Sequence, residues 1–289
     1  MSIKYLKESL IEKGLFAISI LLVIVIILLV VFVLMEAIPA FLNLGLIKFI
    51  FGSVWHPDNN EFGVFPMILG SIYVTGLALI FAVPLSLSCA IFLEEIASFK
   101  IKNLFKPIIQ TLAGIPSVIY GFFGLTLVAP FIRNIFGGSG FSILTASLIL
   151  ALMILPTIIS VSQDSIKSVP DYYRQASLGL GSTKWQCTKN IVLPIALPGI
   201  ITAIILGIGR AIGETLAILM LAGNVSLVPT SIISPIRTLT SNIALEMGYA
   251  TDIHYNSLFA TAVVLFIIIL MLMVISNYVQ NKYSLKGGT

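Results

Sequence analysis

Long uncharged apolar runs alternate with short polar segments along the chain, and this pattern predicts its secondary structure. Three of the runs, at 14–35, 107–132 and 134–163, contain no charged residue over 22, 26 and 30 positions. About 20 apolar residues are enough for a helix to cross the hydrocarbon core of a bilayer. Lipid offers no hydrogen-bond partners to an open backbone, so spans of this kind must be helical. The pattern predicts six membrane helices, at about 14–36, 67–93, 107–131, 143–163, 199–223 and 259–280.

Composition supports a membrane protein over a soluble one. Hydrophobic residues make up 58% of the chain and charged residues 10%, whereas soluble domains are about 25% charged. The first apolar run is longer than the ~7–15 residues of a cleaved signal peptide, which predicts a retained anchor helix. No basic patch with interleaved aromatic residues occurs, so we expect no nucleic-acid partner.

The basic residues predict the topology of the six spans. With the N-terminus inside, twelve basic residues fall on cytoplasmic segments and three fall outside. Positively charged loops favour the cytoplasmic side, so both termini are expected there. The twelve are Lys4, Lys7, Lys13, Lys100, Lys102, Lys106, Lys167, Arg174, Lys184, Lys189, Lys282 and Lys286, and the three are Lys48, Arg133 and Arg237.

One polar segment, residues 163–198, stands out between the fourth and fifth predicted spans. Its stretch Ser168-Val169-Pro170-Asp171 predicts a helix start, with a Ser cap, a Pro in the first turn and an acid near the positive end of the dipole. The predicted helix covers about 170–178, and Gly179 and Gly181 are expected to end it. A second short helix, about 183–191, is expected to end before Pro194. Together they predict a rigid two-helix knob on the inner face.

The residues of this knob carry a resemblance to a known family. The spacing Gln175-Ala176-Ser177, three residues, Gly181, nine residues, Ile191, one residue, Leu193-Pro194 resembles the Glu-Ala-Ala loop of binding-protein-dependent ABC importer permeases. In that family the loop is the coupling helix that docks on the ATPase subunit. Gln175 stands where the family has Glu and Ser177 where it has the second Ala, so a salt bridge from that Glu is not expected. The resemblance implies a coupling surface formed by Tyr173, Arg174, Gln175, Ala176, Ser177, Gly179, Gly181, Leu193 and Pro194.

Three further stretches narrow the resemblance to the permeases of phosphate-specific importers. They begin at Phe62-Gly63-Val64-Phe65-Pro66, at Ala113-Gly114-Ile115-Pro116-Ser117 and at Arg210-Ala211-Ile212-Gly213-Glu214-Thr215. With the long outer loop around Trp55, they look like the PstC type rather than its PstA partner. The resemblance implies an all-α polytopic membrane protein with six transmembrane helices and the type I ABC importer permease fold, including cytoplasmic coupling helices. The implied domains are 1–60, with a cytoplasmic tail, anchor helix and outer loop, and 61–289, the transporter domain with its coupling loop at 163–198.

Arg210 and Glu214 are the candidate substrate-pathway residues. If the fifth span begins near Gly199, Arg210 lies about 16 Å above the inner surface, at 1.5 Å per residue. An arginine at this depth costs roughly 2.5–3.5 kcal/mol on insertion scales and is expected to face the bundle interior with a partner. Glu214 is predicted one turn later on the same face. The guanidinium suits bidentate binding of phosphate, and the alternative is a self-compensated pair that only fixes helix packing.

The remaining expectations concern partners and alternatives. The chain contains no Gly-x4-Gly-Lys-Ser/Thr motif, so we expect no cofactor in this chain and ATP-Mg bound by a partner ATPase subunit. Six spans are few for a closed pathway, which suggests a second, PstA-like permease. An extracytoplasmic phosphate-binding protein and membrane lipid complete the expected partners, in a bacterial or archaeal cell membrane. Permeation of sulfate or molybdate, or secondary anion transport, remain the alternatives.

Overall fold

Six apolar helices form the body of the protein, as the hydropathy pattern predicts. A computed structural model describes residues 3–284, so the predicted cytoplasmic residue Lys286 lies outside the described residues. Within that range, six helices are long and apolar enough to cross a membrane. They cover Ile11–Leu44, Phe65–Ile96, Ser117–Phe136, Ile143–Lys167, Lys184–Gly213 and Asp252–Tyr278.

The secondary structure is almost entirely helical. The helices are α1 (Ile3–Leu44), α2 (Leu46–Phe51), α3 (Phe65–Ile91), α4 (Phe99–Gly114), α5 (Ser117–Phe123), α6 (Ala129–Phe136), α7 (Ile143–Lys167), α8 (Asp171–Gly179), α9 (Lys184–Cys187), α10 (Leu193–Gly213), α11 (Leu216–Leu221), α12 (Leu239–Glu246) and α13 (Asp252–Ser284). Wider π-helical turns extend α3 over Phe92–Ile96, join α5 to α6 over Gly124–Val128 and join α9 to α10 over Thr188–Val192. A two-stranded antiparallel hairpin, β1 (Trp55–His56) and β2 (Glu61–Phe62), lies in the outer loop.

The third span differs from the prediction at its N-terminal end. The sequence predicts one helix over 107–131, but the backbone is extended at Ile115, with ψ 128°, and again at Pro116. Proline lacks an N–H and disfavours the helical conformation in the residue before it. The break separates α4 from the membrane span, which runs from Ser117 to Phe136. Helix α4 is amphipathic and leaves Leu104 and Ile108 exposed.

The fifth span also departs from the prediction of a single helix over 199–223. It begins earlier, because α9 continues through the π-helical turn into α10, and the second short helix does not end before Pro194. Within a continuous helix a proline removes one backbone hydrogen bond, and the wider π-helical turn directly before α10 accommodates this loss at Pro194. At its other end the span stops at Gly213, because Glu214 is extended with ψ 129°. Only the short α11 continues beyond the break.

Close packing of α3, α7 and α10 forms the main core. Helix α7 contributes more buried side chains to this core than any other helix, including Ile149, Ile154 and Ile158. Small residues allow α7 and α10 to approach: a methyl group added at Gly199 would lie 2.2 Å from the Ser165 hydroxyl oxygen. Helix α1 instead packs against α13 at the edge of the bundle. The predicted domain boundary between residues 60 and 61 stays a prediction, and the β-hairpin crosses it.

Candidate functional site

The two-helix knob predicted at 163–198 is formed by α8 and α9. Helix α8 begins after Pro170, with Asp171 in its first turn. Ser168 is not its cap, as the sequence suggested, because the Ser168 hydroxyl donates to the carbonyl of Ser165 at the end of α7. The N-cap position of α8 is therefore Pro170, and no side chain caps this helix.

A tight turn between α8 and α9 sets the shape of the knob. Gly181 has φ +85°, the left-handed conformation that glycine adopts at least cost, whereas Gly179 is the last residue of α8. Of the two predicted stop residues, only Gly181 therefore has the expected left-handed backbone. The Ser177 and Ser182 hydroxyls lie 2.6 Å apart and Ser182 also donates to the Ser177 carbonyl at 2.9 Å. Thr183 then starts α9 with a complete capping box.

The knob exposes several large apolar side chains among its polar ones. Gln175 and Ala176 are exposed on α8, together with Gly179 and Gly181 at its end. The exposed fraction reaches 90% for Leu180 in the turn. Large side chains that share this exposure are Tyr172, Tyr173, Leu178 and Trp185. Exposed large apolar side chains grouped on one loop are typical of a protein docking surface.

Arg174, one of the predicted coupling residues, points the other way, into the membrane domain. Its Nε and Nη2 lie 3.3 and 2.8 Å from the same carboxylate oxygen of Glu95, at the end of the second span. Its guanidinium also donates to the carbonyls of Ile166 and Val169. Burial alone lowers the pKa of Arg174, but the hydrogen bond and charge of Glu95 outweigh it and leave that pKa raised. Arg174 therefore stays charged and fastens α8 to the spans.

The two remaining predicted coupling residues, Leu193 and Pro194, lie where the knob continues into the fifth span. Leu193 packs against a buried cluster that includes Val169, Cys187 and Val192. Pro194 is exposed in the first turn of α10. This cluster joins the base of the knob to the spans, so that the loop forms one rigid unit with them.

Arg210 lies near the end of the fifth span and Glu214 directly after it, and both are half-buried, but they do not form the predicted pair. The predicted common helix face is absent because the helix ends at Gly213. Instead, Glu214 Oε1 accepts from the backbone N–H of Ala217 at 3.2 Å and caps α11. The partner of Arg210 is Thr157 on α7, whose hydroxyl accepts from Nη1 at 3.2 Å. Among the described residues, no carboxylate lies within salt-bridge distance of Arg210.

A buried polar network at the end of the molecule that carries the β-hairpin was not predicted from the sequence. Glu246 on α12 is 4% exposed, and its carboxylate accepts from the Trp55 indole N–H at 2.8 Å. The same carboxylate hydrogen-bonds His254 Nε2 at 2.8 Å and forms an ion pair with Arg237. We call these four residues the outer brace. It joins the β-hairpin to α12 and α13.

Sequence reasoning missed Glu95, Thr157 and Glu246, each of which contacts a residue far away in the chain. Glu95 and Arg174 are 79 positions apart, and Thr157 and Arg210 are 53 apart. One signal in the sequence could have indicated the two carboxylates. Acidic residues are rare near the spans, and a charge that is buried there needs a partner. In the described part of the chain, no cluster of three or more His, Cys, Asp or Glu residues suited to a metal ion occurs.

Comparison with known families identifies a membrane transport component, in agreement with the six apolar helices and the two-helix knob. The family described as "Binding-protein-dependent transport system inner membrane component" matches residues 82–284. The probable ABC transporter permease protein YqgH of Bacillus subtilis is 38% identical over 87% of this chain and 84% of its own. The phosphate transport system permease protein PstC of Haemophilus influenzae is 33% identical over 89% and 91%. PstC of Mesorhizobium japonicum is 32% identical over 83% and 80%.

Solved structures share the fold. A bacterial alginate ABC transporter in complex with an alginate pentasaccharide-bound periplasmic protein contains a chain that aligns with a TM-score of 0.67 at 15% identity, covering 96% of this chain and 97% of that one. An inward-facing MetNI methionine ABC transporter aligns with a TM-score of 0.57 at 20% identity, covering 76% and 94%. At these identities the likeness establishes the architecture, which is that of type I ABC importer permeases.

Proposed function

The chain belongs to the family of binding-protein-dependent transport system inner membrane components, and from this premise we propose that it is the permease subunit of an ATP-driven phosphate importer. The observation that carries the proposal is the similarity to several phosphate transport permeases named PstC, at 32–34% identity over more than four fifths of the chain. The protein is a multi-pass membrane protein, and its relatives are transport permeases.

Arg210 is the proposed contact for the anion within the membrane. Its guanidinium is held by a neutral hydroxyl, that of Thr157, and so keeps an uncompensated positive charge inside the bundle. A fixed charge at this depth is expensive, which favours a functional role over a packing role. The planar guanidinium offers two parallel N–H donors to a phosphate group. Glu214 is the second proposed pathway residue, and it lies at the break directly after α10.

The knob formed by α8 and α9 is the proposed docking surface for an ATPase subunit. Its exposed apolar side chains, with Leu180 at their centre, are available to a partner, while Arg174 fastens the knob to the spans. ATP-Mg is then bound and hydrolysed by the partner, and movement of the ATPase reaches the second and fifth spans through this rigid connection. The predicted coupling residues Tyr173, Gln175, Ala176, Gly179 and Gly181 lie on this proposed surface. Ser177 is buried in the turn of the knob, and Leu193 and Pro194 lie where the knob joins the fifth span.

The proposed complex contains a second, PstA-like permease and an extracytoplasmic phosphate-binding protein. A structural neighbour, the alginate transporter, was solved with a ligand-bound periplasmic protein, which supports a partner of that kind. Exposed apolar residues along the spans, such as Ile119 and Phe122 on α5, suit either lipid or the second permease. Both termini are proposed to lie in the cytoplasm of a bacterial or archaeal cell.

Transport by the reconstituted complex tests this function. The chain would be co-purified with its ATPase, second permease and binding protein, reconstituted into vesicles, and supplied with ATP on the cytoplasmic side. We expect ATP-dependent uptake of radiolabelled phosphate that excess unlabelled phosphate suppresses and equal sulfate or molybdate does not. Uptake that proceeds without ATP, or that sulfate suppresses equally, would contradict the proposal.

A further inference from the structure

A row of polar residues runs down one face of α7 from the contact with Arg210 to the cytoplasmic end. At 100° per residue, Thr157, Ser160, Asp164 and Lys167 fall within an arc of about 80°. Each of these four side chains is half-buried or exposed. From Thr157 to Lys167 the helix rises about 15 Å, half the thickness of the hydrocarbon core. The row therefore connects the membrane centre to the inner surface.

On the N-terminal side of Thr157, the same face of α7 is apolar. Leu150 and Met153 continue the row toward the outer side, and both are 1% exposed within the core. Polarity thus begins at the residue that holds Arg210. A helix that needed only to pack would have no reason to change character at that level, since apolar residues suit both halves of a buried face.

The row ends in a polar cavity of about 420 Å³ between α4 and α7. At about 30 Å³ per water molecule, this volume corresponds to roughly fourteen waters, enough for a hydrated oxyanion. Lys102, Lys106 and Gln110 line it from α4, at spacings of four residues, and Lys167 lines it from α7. The apolar side of α4 points away from the cavity and is exposed.

The charges around the cavity leave a positive excess. Three lysines face two carboxylates, those of Glu94 and Asp164. Lys102 is engaged, because its Nζ contacts the Glu94 carbonyl at 2.9 Å and its carboxylate at 3.5 Å. Among the described side chains, neither Lys106 nor Lys167 forms a salt bridge. Two ammonium groups are therefore available to an anion.

Building on the proposed function, we propose that this cavity is a release site for the transported oxyanion on its way into the cytoplasm. The anion leaves Arg210, follows the polar row of α7 and is held by Lys106 and Lys167 before it enters bulk water. Lysine ammonium groups are strongly hydrated point charges and hold phosphate less rigidly than a guanidinium fork. Asp164 weakens the hold further by like-charge repulsion. Several weak binding sites in series let an anion move through the protein, whereas one tight site would retain it.

Transport kinetics of the double variant Lys106→Gln/Lys167→Gln test the route. In the reconstituted complete transporter, we expect the maximal rate of ATP-driven phosphate uptake to fall about fivefold or more, as loss of two solvent-exposed charge contacts implies. The concentration of binding protein that gives half-maximal uptake should not change, because that protein docks on the opposite side. Lys100→Gln is the matched control, since Lys100 lies on α4 but does not line the cavity.

Direct binding separates free phosphate from a lipid headgroup, which carries the same chemistry. The complete transporter, without binding protein, would be placed in nanodiscs of phosphatidylcholine, and the linewidth of the phosphorus-31 signal of added inorganic phosphate would be recorded. We expect wild type and Lys100→Gln to broaden the signal and the double variant to lose most of that effect. The broadening should persist when part of the lipid is phosphatidylglycerol.

Each other result overturns the release site in a distinguishable way. If the double variant transports and broadens the signal as wild type does, the cavity is not on the route, although phosphate transport itself stands. If phosphatidylglycerol abolishes the broadening, the lysines hold lipid rather than the transported anion. If the wild-type complex shows no ATP-driven phosphate uptake, the proposed function fails, and the release site fails with it.

Discussion

Arg174 and Glu95 form a bond between the knob and the second membrane span, with two guanidinium nitrogens on one carboxylate oxygen at 3.3 and 2.8 Å. The Glu95 side chain is 12% exposed. Arg174 also contacts Asp171, which is 84% exposed. Exposed ion pairs contribute about 0–1 kcal/mol, whereas hydrogen bonds to charged groups contribute about 1.5–3 kcal/mol. The connection between knob and spans therefore depends on Glu95 far more than on Asp171.

Replacing Glu95 by Gln should uncouple ATP hydrolysis from transport. Loss of the charged contact lets α8 move independently of the second span. A charged hydrogen bond contributes about 1.5–3 kcal/mol, so the equilibrium between the attached and the detached knob should shift more than tenfold, at about 1.4 kcal/mol per factor of ten. We expect the complex to assemble and hydrolyse ATP while phosphate uptake per ATP falls. The measurement is uptake and ATP hydrolysis in the same vesicles. Asp171→Asn should behave as wild type, and equal losses in the two variants would argue against the connection.

The two glycines of the knob should differ sharply in their tolerance of alanine. A Cβ at either Gly179 or Gly181 would meet nothing within 4 Å. Only Gly181 has a left-handed backbone, which costs an L-residue about 1–2 kcal/mol. Gly181→Ala should weaken retention of the ATPase subunit in a pull-down several-fold, because the turn shifts. Gly179→Ala should retain it fully; a matching loss there would show that surface contact, and not the turn, is decisive.

Hydropathy was sufficient to predict the six spans, but not the two places where helices break. Pro84, Pro156 and Pro198 all lie inside continuous helices, so the break at Pro116 does not follow from proline alone. The break at Glu214 depends on tertiary contacts, because its carboxylate caps α11 and its carbonyl accepts from Thr240, 26 positions away. The inward direction of Arg174 has the same cause. Periodicity reports which faces are apolar and carries no information on partners 79 positions apart.

Arg210→Gln should abolish phosphate uptake while the complex still assembles. Glutamine keeps a polar side chain, but it ends short of the position from which Nη1 contacts Thr157, and it removes the charge that attracts the anion. Arg210→Lys should restore little, because a lysine lacks the planar pair of donors. Arg133→Gln, at an exposed arginine on the outer end of α6, is the control and should transport normally. Normal uptake by Arg210→Gln would exclude the pathway role and leave Arg210 a packing residue.

The outer brace should be required for the stability of the end of the protein that carries the β-hairpin, α12 and the start of α13. Glu246→Gln removes the charge that Arg237 faces, and breaking one partner of a buried ion pair costs about 3–5 kcal/mol. Trp55→Phe removes a single N–H donor to the same carboxylate and should cost about 1 kcal/mol. Thermal inactivation of the purified complex would rank the variants, with Glu246→Gln lowest and Trp55→Phe between it and wild type.

His56→Ala is the matched control for the brace, because His56 is exposed beside the buried Trp55. Its replacement should change stability by less than about 0.5 kcal/mol, as for most surface positions. His254→Ala removes a hydrogen bond to Glu246 at 2.8 Å and a ring that stacks on Phe62 at 5.7 Å between centroids, so it should destabilise measurably. If the two histidine variants inactivate at the same temperature, the network does not hold the hairpin to α12 and α13, and packing of Trp55 and Phe62 alone must do so.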